Sequence, residues 1–233
     1  MKNILTKFYN EDSNILEIGL DEVGRGPMFG RVYTAGVILP KNDFKYELLK
    51  DSKKFTSEKK INEVANYIKE KAVIWSISYC DEKEIDELNI KNATYISMHK
   101  CIKDILKKLN ENTNELYKKY NLLVDGNYFK PYIYLNENEN ILEQIPHITI
   151  EGGDNKYCSI AAASIIAKVE RDKYIHSMCI QYPKLNIYNL EKNKGYGTLE
   201  HMNGIKKYGI SCWHRKTFGI CKESKINNEE YYI

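Results

Sequence analysis

Three apolar segments of this chain end at or near an acidic residue with glycine close by, and this repeated arrangement restricts the fold more than any other feature. The first is ILEIGLDEVGRGP at residues 15–27, the second is LLVDG at 122–126, and the third is HITIEGGD at 147–154. Short apolar runs bounded by glycine are typical of buried strands. Because sites in α/β sheets assemble where strands end, the acids of these segments are expected to converge.

Two adjacent acids, Asp21 and Glu22, stand where the first segment ends. Neighbouring side chains of a regular strand point to opposite faces, so both reach one site only if the chain bends or one residue uses its backbone carbonyl. Two carboxylates ~4 Å apart repel by roughly 4 kcal/mol at an effective dielectric of 20. A hard divalent cation is the usual partner that relieves such repulsion. This segment therefore indicates a metal site.

Three other interpretations of the first segment compete with a metal site. An ATPase strand ending in Asp-Glu is disfavoured, because the chain has no G-x-x-x-x-G-K-[ST] sequence and no Gly-Lys dipeptide. A dinucleotide-binding turn is disfavoured as well, since Gly24, Gly26 and Gly30 are spaced G-x-G-x-x-x-G and the preceding acids would repel a pyrophosphate. An exposed turn with unimportant surface acids stays open from this segment alone.

The length and composition fit one domain and argue against a membrane protein. The chain has 233 residues, of which 42% are hydrophobic, and a net charge of +3. Residues 1–14 carry charged side chains without an apolar run, so neither a signal peptide nor a membrane span is predicted, and we expect a soluble cytoplasmic protein. The six cysteines form no C-x-x-C pair, which argues against a structural zinc site.

The remaining hydrophobic periodicity predicts alternating strands and helices. A stripe of apolar residues at helical spacing in 93–109 should pack on the sheet, and the alanines at 161–163 should allow the following helix to lie close to it. Residues 136–140 are interpreted as a surface loop, and the charged residues at 168–173, Arg171 included, as a solvated helix face. Further strands are predicted at 32–39 and 73–79, and helices at 56–71, 81–88, 93–109 and 159–180.

The C-terminal part of the chain is strongly basic. Residues 192–222 contain seven Lys or Arg residues and one acid, Glu200, which gives this segment a net charge of 7 − 1 = +6. Tyr196, between two glycines, and Trp213 are interspersed among these charges. Basic and aromatic side chains together are typical of surfaces that grip a phosphate backbone with a sugar or base, although a generic basic tail has the same composition.

Strand-end acids and a basic, aromatic segment together favour metal-assisted phosphodiester chemistry. Two ions held ~3.5 to 4 Å apart can activate water on one side of a phosphorus atom and stabilise the leaving oxygen on the other. No Ser-His or Cys-His arrangement typical of nucleophilic catalysis competes with this interpretation.

A series of motifs between about residue 15 and residue 219 resembles the ribonuclease HII family in order and content. They are GLDEVGRGPMFGRV, LKDSKK, IDELNI, LLVDGN, the pair Gly153-Asp154, SIAAASIIAKVERD, KGYGTLEHMNGIKKYGIS and HRKTFG. The resemblance implies an α/β, RNase H-like fold with a mixed five-stranded sheet flanked by helices and a helical C-terminal extension. We place the catalytic domain at 1–185 and a basic substrate-binding segment with its tail, within the same globular unit, at 186–233.

The resemblance also implies an activity and its site residues. The family hydrolyses RNA in RNA–DNA hybrids and cuts 5′ of a ribonucleotide embedded in duplex DNA, leaving a 3′-hydroxyl and a 5′-phosphate. Mg²⁺ or Mn²⁺, as two ions during catalysis, is implied, and Lys53 of the DSK sequence would lie near a phosphate. The implied metal ligands and catalytic residues are Asp21, Glu22, Asp125 and Asp154; Gly24, Arg25 and Gly26 match the turn that recognises the 2′-hydroxyl, and Tyr196 matches the tyrosine that packs on the sugar at the RNA–DNA junction.

The chain departs from the family pattern at several positions. Phe29 and Arg31 stand where smaller or apolar residues are expected, and Cys212-Trp213 where many relatives have proline and a hydrophobic residue. The end of the chain resembles a sliding-clamp-binding peptide at Tyr231-Tyr232, but Asn228 replaces the aliphatic residue that such a peptide needs. We therefore expect a monomer that acts on nucleic acid without clamp binding. The Gly-Arg-Gly turn separates the chain from the related ribonuclease HIII group, which lacks it.

Two functions of other classes stay open. A structure-specific, RNase H-like DNA nuclease would not depend on a 2′-hydroxyl. A hybrid-binding protein without catalysis would bind after metal chelation and release no product, although four clustered acids would give a mere binder only repulsion.

Overall fold

The computed structural model describes residues 4–10, 12, 14–112, 119–136 and 140–227. Asn228, Tyr231 and Tyr232, on which the comparison with a clamp-binding peptide depends, lie outside these residues, as does most of the loop predicted at 136–140. Among the described helices, none has both the length and the apolar character needed to cross a membrane.

The described residues form seven strands and five α-helices. The strands are β1 (Ile15–Val23), β2 (Val32–Ile38), β3 (Ile74–Cys80), β4 (Lys119–Asp125), β5 (Ile133–Asn136), β6 (Ile141–Gln144) and β7 (His147–Ile150). The helices are α1 (Glu58–Lys71), α2 (Glu82–Asn112), α3 (Cys158–Gln181), α4 (Leu190–Asn193) and α5 (Leu199–Tyr208), joined in places by short 3₁₀ turns.

Five strands form the main sheet, in the order β3-β2-β1-β4-β7. β4 pairs in parallel with both β1 and β7, with Leu20 opposite Val124 and Asp125 opposite Ile150. The three strands therefore end at the same edge of the sheet, which is where the acidic residues stand. The predicted mixed five-stranded sheet flanked by helices is confirmed.

β5 and β6 form a separate antiparallel hairpin, which the sequence interpretation missed. Four of its apolar side chains are about half exposed or more, so the apolar residues of the hairpin do not mark a buried face by which a half-buried strand is recognised. These side chains are Ile133, Leu135, Ile141 and Leu142.

The two helices predicted at 81–88 and 93–109 follow one another within α2 and are separated by a kink at Asn89. This residue has φ 63° and ψ 160°, outside the helical range, and its side-chain oxygen accepts a hydrogen bond of 3.1 Å from the Asn92 amide. Asn89 therefore acts as an N-cap for the second helical segment of α2.

Backbone contacts divide the chain into two compact units. The first comprises the described residues of Met1–Glu22, Thr34–Ser78 and Tyr95–Val169, and the second those of Val23–Tyr33, Tyr79–Thr94 and Glu170–Ile233. The separation of a catalytic domain at 1–185 from a segment at 186–233 stays a prediction.

In the first unit α3 lies close against β1, as its alanine-rich start predicts. The alanines at 161–163 have no exposed surface, and a Cβ atom on Gly19 would lie 2.2 Å from the carbonyl carbon of Ser159. Any side chain at Gly19 would therefore push the helix away from the strand. On α2, Met98, Ile102 and Ile105 pack against the sheet in one apolar core, which confirms the predicted apolar stripe.

Candidate active site

Asp21, at the end of β1, is a buried carboxylate that is held from two sides. It is 4% exposed, and its Oδ1 accepts a hydrogen bond of 2.7 Å from the Glu22 amide while the Ser164 hydroxyl also bonds to the side chain. Burial, followed by repulsion from Glu22 and then Asp125, raises the pKa of Asp21 well above its usual value. The group is thus costly to ionise in the absence of a cation.

Asp125 and Asp154 continue the same cluster. The Gly153 amide donates a hydrogen bond of 2.6 Å to Asp125 Oδ1, and the Asn155 amide group donates one of 3.0 Å to Asp154 Oδ1. Burial raises the pKa of Asp125, the charge of Asp154 raises it further, and nearby Lys53 lowers it. Asp125 therefore interacts electrostatically with Asp21, Asp154 and Lys53, all in the first unit.

The LKDSKK segment, which contains Lys53, borders this cluster. Asp51 caps a short 3₁₀ turn by accepting a hydrogen bond of 2.9 Å from the Lys53 amide, and its other oxygen faces the Asn155 side-chain amide at 3.3 Å. The Ser52 hydroxyl lies 3.0 Å from that of Ser164, which bonds to Asp21. Asp51, Ser52, Ser164 and Asn155 thus support the acids through hydrogen bonds. The sequence interpretation did not select them, although Asp51 and Ser52 directly precede Lys53 in its motif.

The donor set of the cluster suits a hard divalent cation. Asp21, Glu22, Asp125 and Asp154 offer only oxygen ligands, and the raised pKa values of Asp21 and Asp125 come from burial and mutual repulsion that a bound cation would relieve. Within the described residues, no three or more His, Cys, Asp or Glu side chains are already arranged to hold a metal ion. The residues present fit the chemistry of a divalent cation, and binding one would require the side chains to adjust.

In the second unit, a buried arginine organises the turn at residues 24–30. Arg215 has no exposed surface, and its guanidinium donates hydrogen bonds of 2.6, 3.0, 2.7 and 2.8 Å to the carbonyl oxygens of Gly24, Arg25, Pro27 and Gly30, respectively. Burial, and then the charge of Arg171, lower the pKa of Arg215 to about 9, so the group stays charged at neutral pH. The sequence interpretation placed Arg215 among the basic residues of a nucleic-acid-binding surface; the structure places it inside the protein.

Arg171 is a second buried arginine beneath the same turn, and the prediction that it belongs to a solvated helix face is wrong. It is 1% exposed, and it donates hydrogen bonds to the Arg31 carbonyl at 3.3 Å and the Phe29 carbonyl at 3.4 Å. Charged residues are almost never fully buried unless they are paired, which is why the sequence favoured the exposed position. In this protein the carbonyl oxygens of Arg31 and Phe29 are the hydrogen-bond partners of the buried Arg171 guanidinium.

Gly24, Gly26 and Tyr196 meet different environments within the second unit. Gly24 is buried with φ +92°, and a Cβ atom there would lie 2.3 Å from Arg171 Nε. Gly26 is exposed, and its Cβ would lie 3.5 Å from Tyr196 Cε1, an ordinary contact. Tyr196 is 44% exposed. The predicted turn and the predicted tyrosine are therefore neighbours, and Arg25 between the glycines is exposed.

Alanine at Gly24 is expected to lower the stability of the fold, whereas alanine at Gly26 is expected to leave the stability unchanged and to lower only the cleavage rate. Gly24→Ala should destabilise the fold, because a positive φ costs an L-residue ~1–2 kcal/mol and the new Cβ would collide with Arg171. Gly26→Ala should leave the melting temperature within about 2 °C of wild type, since its Cβ fits. If the Gly26 backbone contacts substrate, Gly26→Ala should still lower cleavage about tenfold, the value of roughly one hydrogen bond. Thermal melts and cleavage assays on both variants check this; an unfolded Gly26→Ala or a stable Gly24→Ala would contradict it.

Comparison with known proteins decides the family. A family model described as ribonuclease HII matches residues 18–221. The chain is 39% identical over 224 residues to a ribonuclease HII of Bacteroides thetaiotaomicron, covering 96% of this chain and 98% of that one. The chain belongs to the ribonuclease HII family. It is an endonuclease of the ribonuclease H type.

Solved structures of ribonucleases HII and HIII share this fold at lower identity. One is described as the PCNA:RNase HII complex from Archaeoglobus fulgidus, with a TM-score of 0.64 and 23% identity over 88% of this chain and 95% of that one. Another is Bst-RNase HIII in complex with Mn²⁺, with a TM-score of 0.56 and 13% identity over 83% of this chain and 70% of that one. These likenesses confirm the predicted RNase H-like fold.

Proposed function

We propose that this member of the ribonuclease HII family hydrolyses the RNA strand of RNA–DNA hybrids and cuts 5′ of a ribonucleotide embedded in duplex DNA, leaving a 3′-hydroxyl and a 5′-phosphate. The observation that carries the proposal is the acid cluster at the ends of the parallel strands β1, β4 and β7, in a chain of this family. Asp21, Glu22, Asp125 and Asp154 are the proposed catalytic residues.

Divalent cations, Mg²⁺ or Mn²⁺, are the proposed cofactors, with two ions during catalysis. The four acids would hold them, and bound ions would supply an activated water and stabilise the leaving oxygen. A related ribonuclease HIII has been solved in complex with Mn²⁺, which supports this assignment. The protein's own contribution is to orient the ligands: the Glu22 amide and the Ser164 hydroxyl hold Asp21, and the Gly153 amide holds Asp125.

Recognition of the ribonucleotide is assigned to Gly24, Arg25, Gly26 and Tyr196. The exposed Gly26 would let backbone groups approach the 2′-hydroxyl without an intervening side chain, and the half-exposed Tyr196 ring would pack on the sugar at the RNA–DNA junction. Lys53, exposed and close enough to Asp125 to lower its pKa, is the proposed phosphate contact beside the acids.

Nucleic acid, rather than another protein, is the proposed partner. The solved relative from Archaeoglobus fulgidus was studied as a PCNA complex, but in this chain Asn228 replaces the aliphatic residue that a clamp-binding peptide needs. We propose a monomeric cytoplasmic enzyme that does not depend on a sliding clamp.

A single cleavage experiment tests the proposed activity. A labelled DNA duplex with one ribonucleotide is incubated with Mg²⁺, with Mn²⁺ or with chelator, beside an all-DNA duplex and a long RNA–DNA hybrid. The expected result is a metal-dependent cut 5′ of the ribonucleotide and cutting of the hybrid, with the DNA control intact. Cutting of the all-DNA duplex would indicate a structure-specific DNA nuclease instead. Binding without any product, with either metal, would indicate a non-catalytic hybrid binder.

Tyr196→Ala tests the proposed junction recognition. Base or sugar stacking on an aromatic ring is worth ~1–3 kcal/mol, so cleavage at a single embedded ribonucleotide should fall roughly tenfold to a hundredfold, and more than cleavage of a long hybrid. Steady-state rates on the two substrates measure the difference. Tyr208→Ala, which removes a similarly exposed tyrosine at the end of α5, is a matched control. Equal losses on both substrates would contradict the assignment.

A further inference from the structure

Two histidines are joined by a hydrogen bond inside the second unit. His201, on α5, and His214 have no exposed surface, and their Nε2 atoms lie 3.0 Å apart. The outer nitrogen of His214, Nδ1, faces the Ser211 amide at 3.0 Å and the Ser211 hydroxyl at 2.8 Å. The outer nitrogen of His201, Nδ1, faces the carbonyl oxygen of Tyr196 at 2.9 Å.

The backbone groups at the two ends determine where the protons lie. The Ser211 amide can only donate, so Nδ1 of His214 must be an unprotonated acceptor, and a neutral His214 carries its proton on Nε2. That proton is donated to Nε2 of His201, whose own proton is therefore on Nδ1. From there it is donated to the Tyr196 carbonyl, which can only accept. The Ser211 amide at one end and the Tyr196 carbonyl at the other thus require the same direction of donation, from Ser211 through His214 and His201 to Tyr196.

The surroundings keep both rings neutral. Aromatic rings pack on the pair: the Tyr188 and Phe29 centroids lie 4.6 Å and 5.1 Å from the His214 ring centroid. Burial lowers the pKa of each histidine, and for His214 the neighbouring His201 adds to this effect. An additional proton on His201 would also place two N–H groups against each other between the Nε2 atoms. The pair therefore serves as a fixed structural link rather than as a proton carrier.

The link ends at the loop that presents Tyr196. The Tyr196 carbonyl accepts hydrogen bonds from both His201 Nδ1 and the Thr198 amide, at 2.9 and 2.8 Å. The Tyr196 amide in turn donates to the Asn193 carbonyl at 2.9 Å. The backbone of Tyr196 is thus held on both sides, while the residue as a whole is 44% exposed. With the backbone held, the ring position depends only on two side-chain torsions.

We propose that His201, oriented by His214, is a positioning residue for Tyr196. Its hydrogen bond holds the Tyr196 carbonyl, and with it the place at which the ring meets the sugar of the ribonucleotide at the junction. The inference rests on the function proposed above for Tyr196. His201 touches no substrate in this account and acts through the tyrosine.

The first test uses three variants at these positions. His201→Leu removes the donor, whereas His201→Asn keeps a side-chain N–H near the position of Nδ1. We expect His201→Leu to lower cleavage at a single embedded ribonucleotide about tenfold, with a smaller loss on a long hybrid, and His201→Asn to restore part of the loss. The double variant His201→Leu/Tyr196→Ala should be no worse than Tyr196→Ala alone, because His201 acts through Tyr196.

The second test examines the wild-type protein directly and does not depend on any variant folding. Imidazole ¹⁵N–¹H NMR spectra near neutral pH should show both rings neutral, with the proton of His201 on Nδ1 and that of His214 on Nε2. The reverse tautomers, or a charged pair, would overturn the proposed link. Melting curves of the His201 variants identify a temperature at which all of them are folded, and their cleavage rates are compared at that temperature.

The outcomes separate this inference from the proposed function. If Tyr196→Ala cuts both substrates as wild type does, the role of Tyr196 is wrong and the positioning role of His201 falls with it. If Tyr196→Ala impairs junction cleavage but His201→Leu does not, only the positioning role is overturned. Additive losses in the double variant would also overturn it, since independent sites add.

Discussion

Asp21→Asn is expected to reduce cleavage by a factor of about a thousand or more while the protein stays folded. Asparagine fills the same space and can still accept the hydrogen bond from the Glu22 amide, but it removes one negative ligand from the cluster. Loss of several kcal/mol of metal-assisted stabilisation corresponds to at least this factor. Single-turnover cleavage of the ribonucleotide-containing duplex measures it.

The same substitution should stabilise the metal-free protein. The pKa of Asp21 is raised in the folded state, chiefly by burial, so this state binds its proton more tightly than the unfolded chain does. The stability that such a group contributes is fully present below the unfolded-state pKa and is lost as the pH rises through the raised folded-state pKa, so burying Asp21 costs stability as the pH increases. Asp21→Asn removes that cost, and its melting temperature in chelator at pH 7.5 should exceed that of wild type.

Asp43→Asn is the matched control, because Asp43 is an exposed aspartate in the same unit and its φ of 58° is one that asparagine tolerates. It should change neither cleavage nor the melting temperature. Wild-type rates in folded Asp21→Asn would remove Asp21 from the catalytic site, and a lower melting temperature in chelator would contradict the electrostatic account.

Arg215→Lys is expected to lower the melting temperature by about 6–12 °C although it keeps the charge. A guanidinium has five donors in a planar fork, whereas an ammonium has three at one point, so lysine cannot reach all four carbonyls of the turn. Leaving buried acceptors unsatisfied costs ~1–3 kcal/mol each, and we expect about 3 kcal/mol in total. For a chain of this size, 1 kcal/mol corresponds to roughly 2–4 °C.

The turn held by Arg215 contains the proposed ribonucleotide contacts, so the folded Arg215→Lys variant should also cut an embedded ribonucleotide less efficiently. Lys216→Ala is the control, since the neighbouring Lys216 is exposed and belongs to the same basic segment. It should leave the melting temperature within about 2 °C of wild type. Similar melting curves for Arg215→Lys and wild type would show that the four carbonyls need no guanidinium.

Local sequence determined the strands that carry the acids and the helices that flank them. An apolar run followed by an acid and glycine has a local meaning, because the apolar run favours a buried strand and glycine permits the turn that follows it. The positions of Asp21 and Asp125 near the ends of β1 and β4, and of Asp154 in the turn that follows β7, were predictable for that reason. The order in which the strands lie in the sheet depends on contacts between distant segments, and it comes from the structure, since the resemblance to ribonuclease HII implied only a mixed five-stranded sheet.

Tertiary structure alone decided what the buried polar residues do. A basic residue in a sequence is expected at the surface, since the cost of burying a charge is visible and its compensating partners are not. Arg171 and Arg215 are inside the protein because backbone carbonyls from residues 24–31, about 140 to 190 positions away in the chain, converge on them. The pairing of His201 with His214, and of Ser52 with Ser164, has the same origin. The sequence by itself thus predicted which residues perform the chemistry, and only the folded chain decided which side chains support them, because hydrogen bonds between distant segments have no local signature.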